Sequence, residues 1–364
     1  MAGKNQHFIP QFLQKGFVSP ESGDGGFGRK PKKAKKKRSK VWVFDRGEEA
    51  YHTSIRNKGA ERFFYGLEGS VADTRITDAE SEYAGLVNEL RTNTANTYLS
   101  SNSLCIAKLV AHLFIRTKHV RSSLEEAGDL MLEMTENLLG NRADFERFVR
   151  IIFQKKAGEI EEGLYDSLTS AQQKVARRKL KESPELLSAA LEQVTTEMVA
   201  SNPFSAPFLK RFKDELPSMA RNAHIETFSE SVAPADRIEQ LRAFHWFLHT
   251  ETCDSLILGD TISLCQTSDG QYKSYLAESK KCERILLPVS SQHILVGSTD
   301  SRMQKLDIEA INHASAAISR DFFIASKNTD RERSYAQLIN TKSFVIEPRE
   351  LENVKEKIQQ EYFS

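Results

Sequence analysis

Residues 255–267 read SLILGDTISLCQT, and residues 282–297 read CERILLPVSSQHILVG. Runs of aliphatic and β-branched side chains are interrupted there by Gly-Asp and by Pro, Ser and Gln, a pattern typical of short strands and turns. The block lacks helical periodicity, whereas helical patterns flank it on both sides. It therefore predicts the sheet against which the helices pack.

The predicted fold class is α+β, with a mixed or antiparallel sheet covered by helices and a mostly helical insertion. The predicted strands of this sheet lie in residues 41–46, 256–266, 285–297 and 344–347. Residues 1–124 would hold an N-terminal motif, a hairpin and buried helices, and residues 125–230 a helical subdomain that could bind a protein partner. Residues 231–364 would complete the core begun by the first segment.

Positive charge is concentrated in one short segment. Nine of the 51 Lys and Arg residues lie in residues 29–40, RKPKKAKKKRSK, which contain no acidic residue. Residues 19–40 have too few apolar side chains to repay ordering, which predicts a solvated loop. A basic run of this kind also suits RNA or DNA phosphates, so binding through Arg29 to Lys40 remains an alternative, as does a nuclear-import-like signal.

The cysteines and the apolar runs indicate the compartment. Four cysteines without Cys-x-x-Cys spacing favour neither a disulfide framework nor a zinc site. The longest apolar run, residues 104–115, is too short to span a bilayer and contains a lysine and a histidine. The start of the chain does not resemble a signal peptide. We therefore expect a cytoplasmic protein without a membrane partner.

The opening sequence NQHFIPQFLQKGF, residues 5–17, predicts a short helix fixed by aromatic side chains. Pro10 is preset for a first helical turn, and Gly16 could adopt the left-handed conformation that ends a helix. His7 stands just before this helix. It could simply cap the helix or form a hydrogen bond there, or it could act as a general acid or base, since imidazole titrates near neutral pH.

Two further helices carry charged side chains that could meet. Thr77 and Glu80 have capping-box spacing for a helix over residues 78–90, which would place Glu82 and Glu89 on one face. Residues 103–121 predict a buried helix in which Lys108, His112 and Arg116 recur every four residues. These cations must contact carboxylates, a ligand anion or water, so they predict either an ion network with the preceding helix or a phosphate site.

Later polar residues give weaker signals. His245 and His249 lie four apart in a helix predicted over residues 235–248, but the glutamate of a His-Glu-x-x-His motif is missing, so neither a metal nor a cofactor is predicted. Asp260 follows a predicted buried strand, where either a working carboxylate or a Gly-Asp turn fits. Asn312 lies on a helix predicted over residues 307–319.

Several short motifs resemble, in the same order, a widespread microbial family known as domain of unknown function 4238. The first is His7 to Leu13, and the others are residues 42–45 (WVFD), 61–65 (ERFFY), the helix that carries Glu80 and Glu82, and residues 116–117, 258–260, 287–290 and 311–312. The likeness extends over nearly the whole chain. The resemblance by itself implies no specific activity.

Two classes of function fit these residues. The first is a nucleic-acid-processing, ribonuclease-like effector, which could act in microbial defence. In that hypothesis the catalytic residues are His7, Glu82, Arg116 and Asp260. The substrate-binding residues would be Gln11, Lys108, His112 and Asn312. The second class is a non-catalytic module that binds nucleic acid or protein, and convergence of these side chains in one cleft would favour the enzyme.

Overall fold

The computed structural model divides the chain into two compact units. The first comprises residues of Met1–Leu124 and Ala220–Val345, and the second comprises residues of Glu125–Met219 and Ile346–Ser364. The structure describes residues 5–22, 39–93, 97–99, 103–140, 142–166, 168–183, 185–201, 206–253, 255–274 and 282–343, and positions 353, 354, 356, 357 and 360.

The strands form antiparallel sheets. In chain order they are Asn5–His7 (β1), Lys40–Asp45 (β2), Tyr51–Ser54 (β3), Ala60–Arg62 (β4), Thr97–Tyr98 (β5), His245–Thr250 (β6), Leu258–Gly259 (β7), Leu264–Thr267 (β8), Tyr272–Ser274 (β9), Cys282–Pro288 (β10), His293–Ser298 (β11) and Phe322–Ala325 (β12). A six-stranded sheet has the order β5-β6-β11-β10-β8-β9, a four-stranded sheet the order β3-β2-β12-β7, and β1 pairs with β4. With the helices, this confirms the predicted α+β class.

The expectation of a single sheet is wrong, because residues 256–266 divide between two sheets. β7 pairs with β12, whereas β8 pairs with β10. Between them the chain turns at Ile262, which has a φ of 68° and donates its N–H to the carbonyl of Gly259. A β-branched residue rarely takes a positive φ, so the aliphatic run predicts no turn there. The strand predicted at 344–347 lies outside the described residues.

Both units contain helices. In chain order they are Gln11–Gln14 (α1), Val71–Thr92 (α2), Ser103–Ile115 (α3), Lys118–Leu139 (α4), Arg142–Asp166 (α5), Ser170–Glu182 (α6), Glu185–Ser201 (α7), Ala206–Glu230 (α8), Ala235–Arg242 (α9), Ile308–Ile318 (α10) and Asp330–Ala336 (α11). A 3₁₀ turn, Lys15–Phe17, continues α1. No described helix is both long enough and apolar enough to cross a membrane.

Two predicted helix boundaries are wrong for local reasons. α2 begins at Val71, because the Ser70 side chain caps it by accepting from the N–H of Asp73. Thr77 therefore lies inside the helix and takes no part in a capping box. The helix predicted over residues 103–121 is two helices, since α3 ends at Ile115 and α4 starts beyond Thr117, whose hydroxyl accepts from the N–H three residues on.

The helix predicted over residues 235–248 is also wrong. α9 ends at Arg242, and the following residues form β6 between β5 and β11. Three consecutive side chains of β6, Trp246, Phe247 and Leu248, are buried, as both faces of a covered central strand require. His245 and His249 are therefore four residues apart on a strand, about 13 Å along it, too far to bind one ion together.

The N-terminal motif belongs to the main hydrophobic core of the first unit. Ile9, Leu13 and Phe17 have no exposed surface, and they lie in the same apolar cluster as α2, α3 and the central strands of the six-stranded sheet. In the second unit a smaller cluster joins α4, α5 and α7, through Leu139, Phe145, Val149 and Val199.

Candidate functional site

The N-terminal motif holds its shape through a glutamine. β1 ends at His7, and α1 begins directly after Pro10. Gln14 donates its amide to the carbonyl oxygens of Ile9 at 2.8 Å and Lys58 at 3.0 Å. This buried side chain thus fixes the bend between β1 and α1, and with it the position of His7.

Gly16 ends this motif, but the expected left-handed conformation is wrong. Its φ lies outside that region, and a Cβ here would lie 2.4 Å from the carbonyl oxygen of Val289 and 2.7 Å from the Cα of Ser290. Ser291 donates its N–H to the Gly16 carbonyl at 2.9 Å. Close approach to the β10–β11 turn therefore requires glycine at this position.

A second clasp joins β1 to the start of α2. The amide nitrogen of Gln6 donates to Asp73 at 2.8 Å, and its oxygen accepts from the N–H of Tyr65 at 2.6 Å. The other carboxylate oxygen of Asp73 accepts from the N–H of Gly69 at 3.0 Å. Gln6 and Asp73 are both buried, so these bonds satisfy polar groups that would otherwise destabilise the fold.

A pocket of about 430 Å³ lies between the N-terminal motif and α2. Its size is in the range of small-molecule sites. Phe12, Ile76 and Ala84 give it apolar surface. The polar side chains that line it include His7, Gln11, Lys15, Thr77, Glu80 and Ser81.

Arg116 lies beneath this pocket and has no exposed surface. Its Nε donates to the Tyr65 hydroxyl at 3.1 Å, and its Nη1 to Nε2 of His112 at 2.8 Å. Its Nη2 donates to both the His7 carbonyl and the Glu80 carboxylate. Arg116 thus links the main chain of β1 to the Glu80 side chain on α2.

His112 is neutral in this network. Burial and the neighbouring Arg116 lower its pKa to about 3. Its Nε2 accepts from Arg116, so the proton resides on Nδ1, which donates to the Val232 carbonyl at 3.0 Å. The predicted cationic stripe therefore does not exist: His112 carries no charge at neutral pH, and Lys108 is exposed.

His7 is one of the titratable side chains that line the pocket. Burial lowers its pKa, with a further lowering by Arg116, and these outweigh the Glu80 carboxylate and the backbone of Ile55 and Arg56. The ring is therefore neutral at pH 7. Its Nε2 is buried without a hydrogen-bond partner among the described residues, whereas Nδ1 lies 3.4 Å from the amide nitrogen of Gln11.

The predicted site residues only partly converge. His7 and Gln11 line the pocket, and Arg116 and His112 lie behind it. Glu82 is exposed and does not line the pocket; the carboxylate that reaches Arg116 is Glu80. Side chains two residues apart on a helix point to nearly opposite sides of it. Glu82 therefore cannot reach the pocket in the way that Glu80 does.

Asp260 and Asn312 lie in other networks. Asp260 accepts the backbone N–H groups of Arg320, Asp321 and Phe322 at 2.6–3.2 Å, and its burial raises its pKa to about 6. Asn312 donates to the Ser255 carbonyl at 2.7 Å and accepts from the N–H of Ile257 at 3.2 Å. Both satisfy buried backbone groups, and neither lines the pocket.

Sequence reasoning missed Lys15, Thr77, Glu80 and Ser81 as pocket residues. Thr77, Glu80 and Ser81 recur three and four apart, which is the spacing of one helix face. This spacing is visible in the sequence. Its use depends on knowing where α2 starts and that the N-terminal motif lies opposite this face. Among the described residues, no group of three His, Cys, Asp or Glu side chains is arranged to hold a metal ion.

The sheets define an α+β protein, and His7 and Glu80 both line the pocket between its first helix-forming segments. The chain belongs to the family described as protein of unknown function (DUF4238), whose profile matches residues 5–346. The predicted resemblance is confirmed, and the match includes both walls of the pocket. No curated protein and no solved structure matched the chain.

Proposed function

We propose that the pocket is a proton-transfer site that cleaves RNA phosphodiesters, with His7 as the general base. The observation that carries this proposal is the neutral His7 ring, whose Nδ1 faces Gln11 in a pocket that also contains the Glu80 carboxylate. A general base must hold a lone pair at the working pH, and the long bond from the Gln11 amide marks Nδ1 as the ring nitrogen that has it. A histidine whose pKa is lowered meets this condition throughout the neutral range.

The reaction can be written with its protons balanced. Nδ1 of His7 takes the proton of a ribose 2′-hydroxyl, and the 2′ oxygen forms a bond to the adjacent phosphorus. The bond from phosphorus to the 5′ oxygen breaks, and the proton passes from His7 through water to that leaving oxygen. The products are a 2′,3′-cyclic phosphate and a 5′-hydroxyl, and His7 returns to its neutral form.

Lys15 is the side chain that supports binding of phosphate in this proposal. It is exposed and lines the pocket, so its ammonium group can approach a phosphate without being desolvated first. Arg116 is less suited to that role, because all three of its nitrogens already donate to protein groups. Its role in the proposal is to position the His7 main chain and Glu80.

The basic segment would add affinity without sequence selectivity. Arg29 to Lys40 carry nine positive charges and could follow a phosphate backbone, which releases counterions. Residues 23–38 lie outside the described part of the chain. The segment therefore enters the proposal through its charge alone, as an RNA tether. A basic RNA tether beside a cleavage pocket would suit a protein that acts in defence against foreign nucleic acid.

The test is RNA cleavage by the full chain and by two histidine variants. His7→Ala should lose at least about a hundredfold in rate while remaining folded, since a general base typically contributes that much. His313→Ala is the matched control, because His313 is exposed on α10 and does not line the pocket. The rate should be constant through neutral pH and fall only on acidification below the ordinary histidine value of 6.5.

Two results would contradict the proposal. One is a parent protein that binds RNA without cleaving it, which would favour the non-catalytic binding module. The other is His7→Ala cleaving as fast as His313→Ala. In each case circular dichroism and the melting temperature establish that the variants are folded.

A further inference from the structure

The wall that α2 gives to the pocket accepts hydrogen bonds but has few protons to donate. The Thr77 hydroxyl donates to the Asp73 carbonyl at 2.8 Å, and the Ser81 hydroxyl donates to the Thr77 carbonyl at 3.0 Å. A hydroxyl has one proton and two lone pairs. Both oxygens therefore face a ligand as acceptors, although their residue type alone would allow either role.

Glu80 extends this acceptor wall. One of its oxygens accepts from Arg116, and its side chain remains 32% exposed. An ionised carboxylate has about four lone-pair sites, so the single bond to Arg116 leaves acceptor capacity for a ligand. Three neighbouring acceptors, on residues 77, 80 and 81, thus line one side of the pocket.

The opposite wall, from the N-terminal motif, has the complementary character. Lys15 brings an ammonium group with three protons, and Gln11 brings an amide with two. The apolar surface of Phe12 lies on the same wall. The pocket therefore has an acceptor side on α2 and a cationic donor side on the motif, and it matches a ligand with hydroxyl donors at one end and an anion at the other.

We infer that the pocket holds a ribonucleotide unit, with its phosphate beside Lys15 and its ribose 2′-hydroxyl donating to the acceptors of α2 in the resting complex, before that proton passes to His7. This inference rests on the proposed function and names its substrate as RNA in preference to DNA. Deoxyribose lacks the 2′-hydroxyl, so it would leave at least one acceptor of α2 without a donor. A carboxylate that accepts from a ribose hydroxyl is a common mode of nucleotide recognition.

The inference is tested by binding rather than by cleavage. Adenosine 5′-monophosphate and its 2′-deoxy counterpart are titrated into the full-length protein by calorimetry. We expect the ribonucleotide to bind at least about tenfold more tightly, the discrimination that one hydrogen bond to a charged acceptor supplies. The double variant Thr77→Val, Ser81→Ala should reduce this preference, and Glu80 should retain the remainder of it.

Thr74→Val is the matched control for this variant. Thr74 is exposed on α2 but does not line the pocket, so the same substitution there should leave the ribose preference intact.

The inference is overturned if the two nucleotides bind equally, if neither binds, or if the double variant keeps the full preference. Ribose-selective binding by a protein that does not cleave RNA would instead remove the proposed catalysis and leave the inference standing. Cleavage of RNA and single-stranded DNA at equal rates would remove the inference and leave phosphodiester cleavage standing.

Discussion

Arg116 and Glu80 form an ion pair in which the guanidinium has no exposed surface and the carboxylate keeps 32% of its own. The pair is therefore asymmetric, because one charge is fully removed from water and the other is not. The same guanidinium nitrogen also donates to the carbonyl of His7. The pair thus fixes the distance between the proposed base and the acceptor wall of α2.

Removing Arg116 should cost much more stability than changing Glu80. Arg116→Met removes the donor to the buried His112 Nε2 and to the Glu80 carboxylate, and it leaves the Tyr65 hydroxyl and the His7 carbonyl without their bonds to the guanidinium, so we expect a loss of about 3–5 kcal/mol. Glu80→Gln keeps an oxygen that can accept from Arg116 and is partly solvated, so about 1–2 kcal/mol is expected. Urea denaturation measures both values, and equal losses would contradict the asymmetry.

Two buried histidines should respond oppositely to phenylalanine. Neither ring nitrogen of His119 has a hydrogen-bond partner within the described part of the chain, and the residue is 3% exposed. His119→Phe should therefore raise the free energy of unfolding by about 1–3 kcal/mol. His224 donates to the Ile115 carbonyl at 2.7 Å and lies 3.4 Å from Arg121, so His224→Phe should lower it by a similar amount.

That pair is compared in thermal unfolding at pH 7.5, where both histidines are neutral. A loss of stability in both variants would show that His119 makes a contact that phenylalanine cannot replace.

The protein should lose stability on mild acidification. Burial lowers the pKa of His112 to about 3, and burial is also the main reason why those of His119 and His224 are about 4. Each binds a proton more readily in the unfolded chain, near the ordinary value of 6.5. Their stability contribution is therefore complete above pH 6.5 and declines as the pH falls toward 4.

The expected decline is about 1.4 kcal/mol per pH unit for each histidine over this range. Asp260 acts in the opposite direction, because its raised pKa of about 6 lets the folded state take up a proton first. The midpoint of urea unfolding measured from pH 7.5 to pH 4.5 gives the balance. His119→Phe should remove the contribution of one histidine and so make stability fall less steeply with decreasing pH. An unchanged pH dependence would show that His119 does not contribute to it.

Two glycines on neighbouring elements should respond oppositely to alanine. Gly16→Ala would push a methyl group into the backbone at Val289 and Ser290, so we expect a loss of more than about 2 kcal/mol and a distorted pocket. Gly85→Ala is the control, since no atom lies within 4 Å of its Cβ position on α2. It should raise stability by about 0.5–1 kcal/mol, because alanine favours the helix. A tolerated Gly16→Ala would show that the β10–β11 turn can move away.

RNA affinity should depend steeply on salt, and residues 29–38 should supply much of that dependence. Replacing them with a Gly/Ser linker removes eight of the nine charges of the basic segment and should flatten the plot of log affinity against log salt. The melting temperature should change little. An identical slope before and after replacement would remove the tether from the proposal, and a large fall in melting temperature would show that the segment packs on the fold.

The local sequence pattern predicted those helices and strands whose ends are marked by turn or cap residues. The β10–β11 hairpin, β2 and α10 lie close to their predicted positions, because turn residues and a helix cap mark their limits. The division into two sheets could not be predicted in this way. It depends on the turn at Ile262, next to Asp260, whose carboxylate binds backbone N–H groups from residues 320–322. That contact is tertiary, so the hydrophobic periodicity of the sequence does not predict it.

For the site, the sequence pointed to His7 and Arg116 but not to their relationship. A histidine just before a proline-led helix is visible as a motif, whereas the choice between Glu80 and Glu82 depends on which face of α2 meets Arg116. Lys108, His112 and Arg116 were predicted to be three cations because the sequence shows residue types but does not show which side chains are buried. In the fold one is exposed, one is neutral and one is enclosed.

The contact of Gly16 with the β10–β11 turn also bears on synthesis of the protein. The motif that carries His7 emerges from the ribosome long before Val289 and Ser291, against which it rests. The nascent chain therefore carries the proposed base long before that base has its final surroundings. A fragment that stops short of residue 289 would have the residues of the pocket without the support of its first wall, so any activity of the pocket would begin only after residue 291 has been made.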